Sequence, residues 1–236
     1  MSAINLYWNQ MAEKLHKLHE HGYVKLDPMP LGLVDNYCGK IESEMSGTAF
    51  KELGIAHSNM LKDFGIHSHL APKLFTFARE HFGYEGALEN QYHVARLIRG
   101  HDSPEAYRTH FDSHLFTLVM PFNIPETFNH EDSGGLYFIP KARRKRGGEM
   151  ANILQKIYFK KYSGRAGHKA MSMRDRYTIE SFADMRPLLF VGNTTLHGNF
   201  PLAISQAGSR LTVLAHFFDP AGGLGIGKVL RHLRSR

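Results

Sequence analysis

The chain has a single cysteine, Cys38, among 236 residues. A lone cysteine excludes an intrachain disulfide and a cysteine-rich zinc cluster, and it fits a reducing compartment. Cys38 itself reads as a small buried apolar residue. There is no run of 18 or more apolar residues, so no segment offers itself as a membrane-spanning helix. The opening residues, MSAINLYWNQMAEKLHK, lack the short apolar stretch behind a basic start that marks a secretory leader. These absences lead to the expectation of a soluble, cytoplasmic protein. No internal repeat is visible, and the one locally biased tract is basic.

Acidic charge is scarce in two places. Residues 141–169 hold ten Lys/Arg against one acid, Glu149, and the tail, residues 228–236, adds four more basic residues. With a formal charge of +7 for the whole chain, the remainder carries −6. The expected protein is a mildly acidic body with two basic attachments, where an anionic partner would dock. The short tail places Val229, Leu230 and Leu233 on one helical face among basic residues, a pattern compatible with peripheral membrane contact or with terminal disorder.

The length suits one domain over residues 1–236, divided by pattern into a helical preface (1–89), a β-rich core (90–218) with the basic insert (141–169), and the tail (219–236). Trp8, Met11, Leu15 and Leu18 recur at three- and four-residue spacing, which predicts a helix over 8–21 closed by Gly22. A short strand is expected at 23–26, and further helices at 33–45 and 72–81. From Asn90 the period changes: 91–98, 115–122, 135–139, 188–191 and 210–218 are short β-branched or aromatic runs bounded by Gly, Pro, Asn and Asp.

The stretch RTHFDSHLFTLVMPFN, residues 108–123, places His110 and Asp112 two apart at the start of an apolar run. With 16 His and 22 acidic residues, about one or two such pairs arise by chance, and His130-Glu-Asp132 is a second one, in a loop that reads as a solvated turn. The pair alone is equally a polar strand end or part of a metal site. On a strand, both side chains would point the same way. His197, after the apolar run LLFV and a turn, offers a third ligand, and two histidines with one carboxylate leave positions open on an iron(II) centre. A helical zinc pair, His110-x-x-x-His114, fits poorly, because residues 115–120 read as strand. In SRLTVLAHFF, residues 209–218, Arg210, Thr212, Leu214 and His216 share one face. An arginine aimed into an apolar core needs an anion, so Arg210 reads as a carboxylate clamp with Thr212 as helper.

His110-x-Asp112, then His197, then Arg210-x-Thr212 together resemble the Fe(II)- and 2-oxoglutarate-dependent oxygenases. Gly134-Gly-Leu-Tyr-Phe-Ile-Pro140 is similar to that superfamily's Gly-Gly-x-x-x-x-Pro stretch, and the phytanoyl-CoA dioxygenase-like branch is the nearest in pattern. The resemblance spans residues 8–218 except the insert. It implies a mostly β fold with flanking helices, a double-stranded β-helix (a jelly-roll, cupin-like barrel) behind a helical preface. It implies Fe(II) on His110, Asp112 and His197, with 2-oxoglutarate and O2 as cosubstrates. The implied reaction couples decarboxylation of 2-oxoglutarate to oxidation of a C–H bond. Because related halogenases replace the carboxylate with a small residue, Asp112 favours hydroxylation or desaturation over halogenation.

Thr117 and Asn123 are further candidates for cosubstrate contact, and Gln91, His93 and Arg96 for substrate contact. Arg143 and Arg144 in the insert are candidates for an anionic, small or carrier-linked substrate. His216 is either a pocket residue or a satisfied core histidine. Two rival functions stay open. A nucleic-acid dealkylase of the AlkB-like branch would use the basic insert on phosphates, although those enzymes carry a second arginine where this chain has His216. A non-catalytic basic β-barrel binding module is the other.

Overall fold

The computed structural model describes residues 3–44, 50–55, 59–99, 103, 105–125, 133–143, 154, 157–158, 164–172, 177–202 and 209–220. Most of the basic insert, including Arg144, and the tail beyond residue 220 lie outside the described residues, as does His130-Glu-Asp132.

The preface contains α1 (Ala3–Asn9), α2 (Met11–His21), β1 (Tyr23–Lys25), α3 (Leu31–Glu44), β2 (Phe50–Gly54), α4 (Asn59–Asp63), a π-helical turn (Ile66–Leu70) and α5 (Ala71–Phe82). The helix expected over 8–21 is divided at Gln10. Its side-chain amide donates to Tyr7 O at 3.0 Å and its Oε1 accepts from the Asp27 N–H at 3.1 Å. α2 ends where expected: Gly22 takes φ +81° and its N–H reaches Leu18 O at 2.9 Å.

The core follows as β3 (Gln91–Ile98), β4 (Phe116–Asn123), β5 (Leu136–Ile139), α6 (Arg165–Ser172), β6 (Thr178–Glu180), β7 (Leu188–Val191), β8 (Leu196–Asn199) and β9 (Arg210–Phe217). All sheet pairings are antiparallel. The large sheet runs β1-β7-β4-β9-β3-β2 and the small one β6-β5-β8. This is the mostly β jelly-roll architecture that the motif order implied.

Side-chain alternation divides three layers. On the outer face of the large sheet, Leu97, Phe116, Leu118, Leu189, Leu211, Val213 and Phe217 share one apolar cluster with Trp8, Met11, Leu18, Phe64, Leu74 and Phe77 of the helices. The Trp8 indole N–H donates to Phe64 O at 2.7 Å, which lets the ring sit fully buried. On the inner face, Val94, Val119, Leu188, Phe190 and Leu214 meet Leu136, Phe138 and Phe182. Outside the small sheet, Tyr137, Leu196 and Phe200 pack with Phe111, and His168 of α6 lies against Tyr137 with ring centroids 4.3 Å apart. The described end of the insert therefore covers the back of the small sheet.

Cys38 is half-buried, and burial, with Glu42 and Asp35, pushes its thiol up to about 11. No helix among the described residues is long and apolar enough to cross a membrane.

Candidate metal and carboxylate site

The three candidate ligands stand where the chain passes from one sheet to the other. His110 pairs with His197 of β8 in an isolated antiparallel bridge, on the small-sheet side. Two residues on, the Asp112 N–H donates to Gly192 O at 3.1 Å, just past the end of β7 in the large sheet. β4 proper begins only at Phe116. His110 and Asp112 thus lie on an extended crossing segment rather than inside a regular strand, yet converge on one centre. One donor atom from each of His110, Asp112 and His197 lies within 4.8 Å of the others. His110 Nε2 is 3.6 Å from Asp112 Oδ1, and His197 Nε2 is 3.7 Å from Asp112 Oδ2.

The ring orientations suit a metal. His110 Nδ1–H donates to Arg108 O at 3.0 Å and His197 Nδ1–H donates to Thr195 O at 3.1 Å. Each bond fixes the tautomer that leaves the Nε2 lone pair facing the centre. Burial pushes the His197 imidazole down to about 4, against the pull of Asp112. Burial also acts to raise the Asp112 carboxyl, but the imidazoles of His197, His110 and His216 outweigh it and hold the group well below the usual carboxylate range. Neutral imidazole and ionised carboxylate are the forms that ligate, so the donor set fits a divalent cation.

Arg210 opens β9 on the same inner face, 2% exposed. Among the described residues it has no ion pair, and its Nε–H has no hydrogen-bond partner. Burial, with Arg96 nearby, pushes its pKa down to about 9. The guanidinium lies 5.7 Å from the Phe182 ring centre and alongside Gly134, where a Cβ would stand 3.0 Å from Arg210 Cδ. Gly134, at φ +65°, therefore serves both the turn and the approach of the arginine. A buried cation without a carboxylate is costly unless an anion arrives.

The cleft between these groups is lined by Arg96, His110, Asp112, Thr117, His197, Asn199, Arg210, Thr212 and His216, with Val119, Leu136, Phe182, Phe190 and Leu214 as apolar walls. Of the residues singled out in the sequence, the structure brings together the triad, Arg210, Thr212, Thr117, Arg96 and His216. It turns others away. Asn123 donates to Glu42 Oε1 at 3.1 Å and Ser209 Oγ at 3.3 Å, outside the cleft. Gln91 donates to Leu88 O at 2.6 Å, and His93, hydrogen-bonded to Gln91, packs against His67 and Phe217 on the helical side. Arg143 sits behind the site: its Nε–H donates to Asn193 O and its guanidinium stacks 4.2 Å over Phe111.

Three contributors escaped the sequence reading. Glu52, on the unforeseen strand β2, and Glu105 both grip Arg96, at 2.6 and 3.7 Å. Gly192 has no room for a side chain, because a Cβ would lie 2.8 Å from Thr117 Oγ1 and 2.9 Å from Asp112 Oδ2. A glycine directly after the run LLFV was the one available signal for that close approach.

Fold and site together define a jelly-roll barrel with a two-histidine, one-carboxylate centre and a buried arginine in one cleft. No family model matches the chain, and no curated protein matches it. Solved structures do. A prolyl-4-hydroxylase from Pseudomonas putida aligns over 88% of this chain and 98% of its own, at TM-score 0.51 and 13% identity. A prolyl hydroxylase from Trichoplax adhaerens, solved with a hypoxia inducible factor peptide, aligns over 93% and 94%, at TM-score 0.56 and 12% identity. HygX from Streptomyces hygroscopicus, solved with nickel and 2-oxoglutarate bound, aligns over 87% and 86%, at TM-score 0.56 and 10% identity. At these identities the likeness is one of fold, and the fold is the one the oxygenase motifs implied. The phytanoyl-CoA branch rests on sequence motifs alone.

Proposed function

We propose that the chain is an Fe(II)- and 2-oxoglutarate-dependent dioxygenase that hydroxylates, or otherwise oxidises, a C–H bond of a small or carrier-linked anionic metabolite. The observation that carries this reading is Arg210, a buried cation without an acidic partner among the described residues, in one cleft with three convergent metal donors. Support also comes from the shared fold with HygX, whose structure holds nickel and 2-oxoglutarate.

In this reading His110, Asp112 and His197 hold Fe(II), which couples O2 activation to decarboxylation of 2-oxoglutarate and oxidation of the substrate. The protein's own part is binding and shielding. Arg210 grips the distal carboxylate of 2-oxoglutarate in two places, and Thr212, the next inward-facing residue of β9, adds a hydroxyl. Phe182, Phe190, Leu136 and Leu214 keep water from that end of the cleft. Arg96 is held back by Glu52 and Glu105, so Arg210 is the cation left to meet the cosubstrate.

Anaerobic titration of Fe(II) in the presence of 2-oxoglutarate tests the assignment. The expected result is a visible metal-to-ligand charge-transfer band that His110→Ala, Asp112→Ala and His197→Ala each abolish. Absence of the band in the unaltered protein, or full turnover in any of the three variants, overturns it. Succinate release across a metabolite panel then identifies the substrate. Neutralising Arg144, Lys145 and Arg146 should raise its KM and flatten the salt dependence if the substrate is anionic.

A further inference from the structure

Thr117 lines the cleft, yet its hydroxyl is already engaged. The residue is 1% exposed near the start of β4, and its Oγ1–H donates to Asp112 Oδ2 at 2.5 Å. A threonine has one hydroxyl proton. The 3.0 Å contact between Thr117 Oγ1 and His216 Nδ1 must therefore run the other way, from the imidazole N–H to the threonine oxygen. The result is a directed chain from His216 through Thr117 to Asp112.

Register and packing hold this chain in place. Thr117 of β4 lies directly across from His216 of β9, which in turn lies across from Tyr92 of β3. The His216 ring packs with Tyr92, 5.9 Å away with planes at 19°, and with His114, 5.2 Å away at 31°, in a three-ring cluster where Tyr92 and His114 are themselves 6.4 Å apart. Gly192 lies against the other side of the pair, where a Cβ would stand 2.8 Å from Thr117 Oγ1 and 2.9 Å from Asp112 Oδ2. Neither the threonine nor the histidine belongs to the metal donor set or to the apolar core clusters.

We propose that Thr117 and His216 are a positioning pair for the metal carboxylate. Thr117 holds Oδ2 by a hydrogen bond and so fixes the rotation of Asp112, the carboxylate that would hold the metal together with His110 and His197. His216, whose Nδ1 stands 3.8 Å from Asp112 Oδ2 and so beyond hydrogen-bond reach, acts on the orientation of the carboxylate through Thr117, by donating to its oxygen and so aiming its proton at Asp112. The proposal rests on the metal reading of the triad. Hydrogen-bond partners that orient ligands in this way typically change metal affinity or activity by about 10- to 100-fold when removed.

The test is a Co(II) titration of the metal-free protein, followed by the visible bands of the bound ion, in the unaltered chain and in Thr117→Ser, Thr117→Val, His216→Asn and His216→Phe. Thr117→Val keeps the shape and loses the hydroxyl. It should weaken Co(II) binding by about 10- to 100-fold and shift the bands. Thr117→Ser, which keeps the hydroxyl, should restore most of both. His216→Phe should weaken binding less than Thr117→Val, with His216→Asn nearer the unaltered protein. The double variant Thr117→Val/His216→Phe should bind like Thr117→Val alone, since the histidine works through the threonine. Unchanged affinity and bands in Thr117→Val, or additive losses in the double variant, overturn the pair while the metal assignment stands. If Thr117→Val does not fold, the His216→Phe and His216→Asn comparison decides, equal affinity in those two overturning the proposal. An unaltered protein that takes up no Co(II) overturns pair and metal reading together.

Discussion

His110 and His197 are a directly hydrogen-bonded antiparallel pair: the His110 N–H donates to His197 O at 2.8 Å, the His197 N–H donates to His110 O at 3.0 Å, and the ring centroids are 4.5 Å apart. Residues 87 positions apart thus share one rung of a ladder. The backbone spacing of that rung fixes the separation of the two imidazoles before any ion binds. Little reorganisation is then required of the ligand set, a form of preorganisation built from backbone bonds.

Arg210→Ala should raise the 2-oxoglutarate requirement far more than the metal requirement. A charge-assisted bidentate contact in a shielded cleft contributes roughly 2–5 kcal/mol, on the order of 30-fold to several thousand-fold in binding. Arg210→Lys should recover only part, lacking the planar fork. Since the folded protein already carries this cation buried and without an ion pair among the described residues, the melting temperature should not fall. Isothermal titration with 2-oxoglutarate and a thermal melt check both statements, and unchanged affinity in Arg210→Ala would remove the clamp.

Gly192→Ala should damage the metal centre from behind. The added methyl meets Thr117 Oγ1, Asp112 Oδ2 and Asp112 Cβ at 2.8, 2.9 and 3.0 Å, so one of them must move. Overpacking of this kind costs about 1–3 kcal/mol. Weaker Co(II) binding should accompany the lower melting temperature. A stability loss with metal affinity intact would mean that the turn shifts instead of the carboxylate.

Arg143→Ala should destabilise the fold with little effect on the salt dependence of substrate binding, because the structure spends this guanidinium on Asn193 O and the Phe111 ring. Loss of a cation–π contact and a part-buried hydrogen bond together amounts to roughly 1–3 kcal/mol. Chemical denaturation gives the stability change. A salt-dependent rise in substrate KM without any loss of stability would return Arg143 to the substrate.

His93 should make the protein sensitive to acid. Burial pushes its imidazole from 6.5 down to about 3, so the native state keeps it neutral. The unfolded chain takes up the proton first as pH falls. Its contribution is therefore complete above pH 6.5 and is lost progressively between 6.5 and about 3, reaching roughly 2 kcal/mol by pH 5. Unfolding free energies of His93→Gln and the unaltered protein, measured from pH 7.5 to 4, should show a shallower acid limb in the variant; parallel limbs would contradict the assignment.

Five of the seven core strands were legible from composition and period because β propensity and alternation are local properties, and β3, β7 and β9 begin at the expected residues, Gln91, Leu188 and Arg210; β6 and β8, only three and four residues long, were not. The shared face of Arg210, Thr212, Leu214 and His216 followed from the same period, and the order of His110, Asp112, His197 and Arg210 was written in the chain. β2 was missed because FKELG has no clear alternation, so the partner of Arg96 was missed with it.

Parity alone said that Arg96 and His93 could not face the same way. Which of them met the cleft was decided by the pairing of β3 with β9, where Arg96 falls opposite Thr212 and His93 opposite Ala215. The same long-range pairing set Thr117 against His216 and turned Asn123 towards Glu42. The sequence by itself determined which residue types could ligate a metal and which could grip a carboxylate. Only the tertiary structure decided which hydroxyl reaches Asp112, which arginine is left without an acid, and which is spent on the Asn193 carbonyl, because those outcomes depend on contacts between strands far apart in the chain.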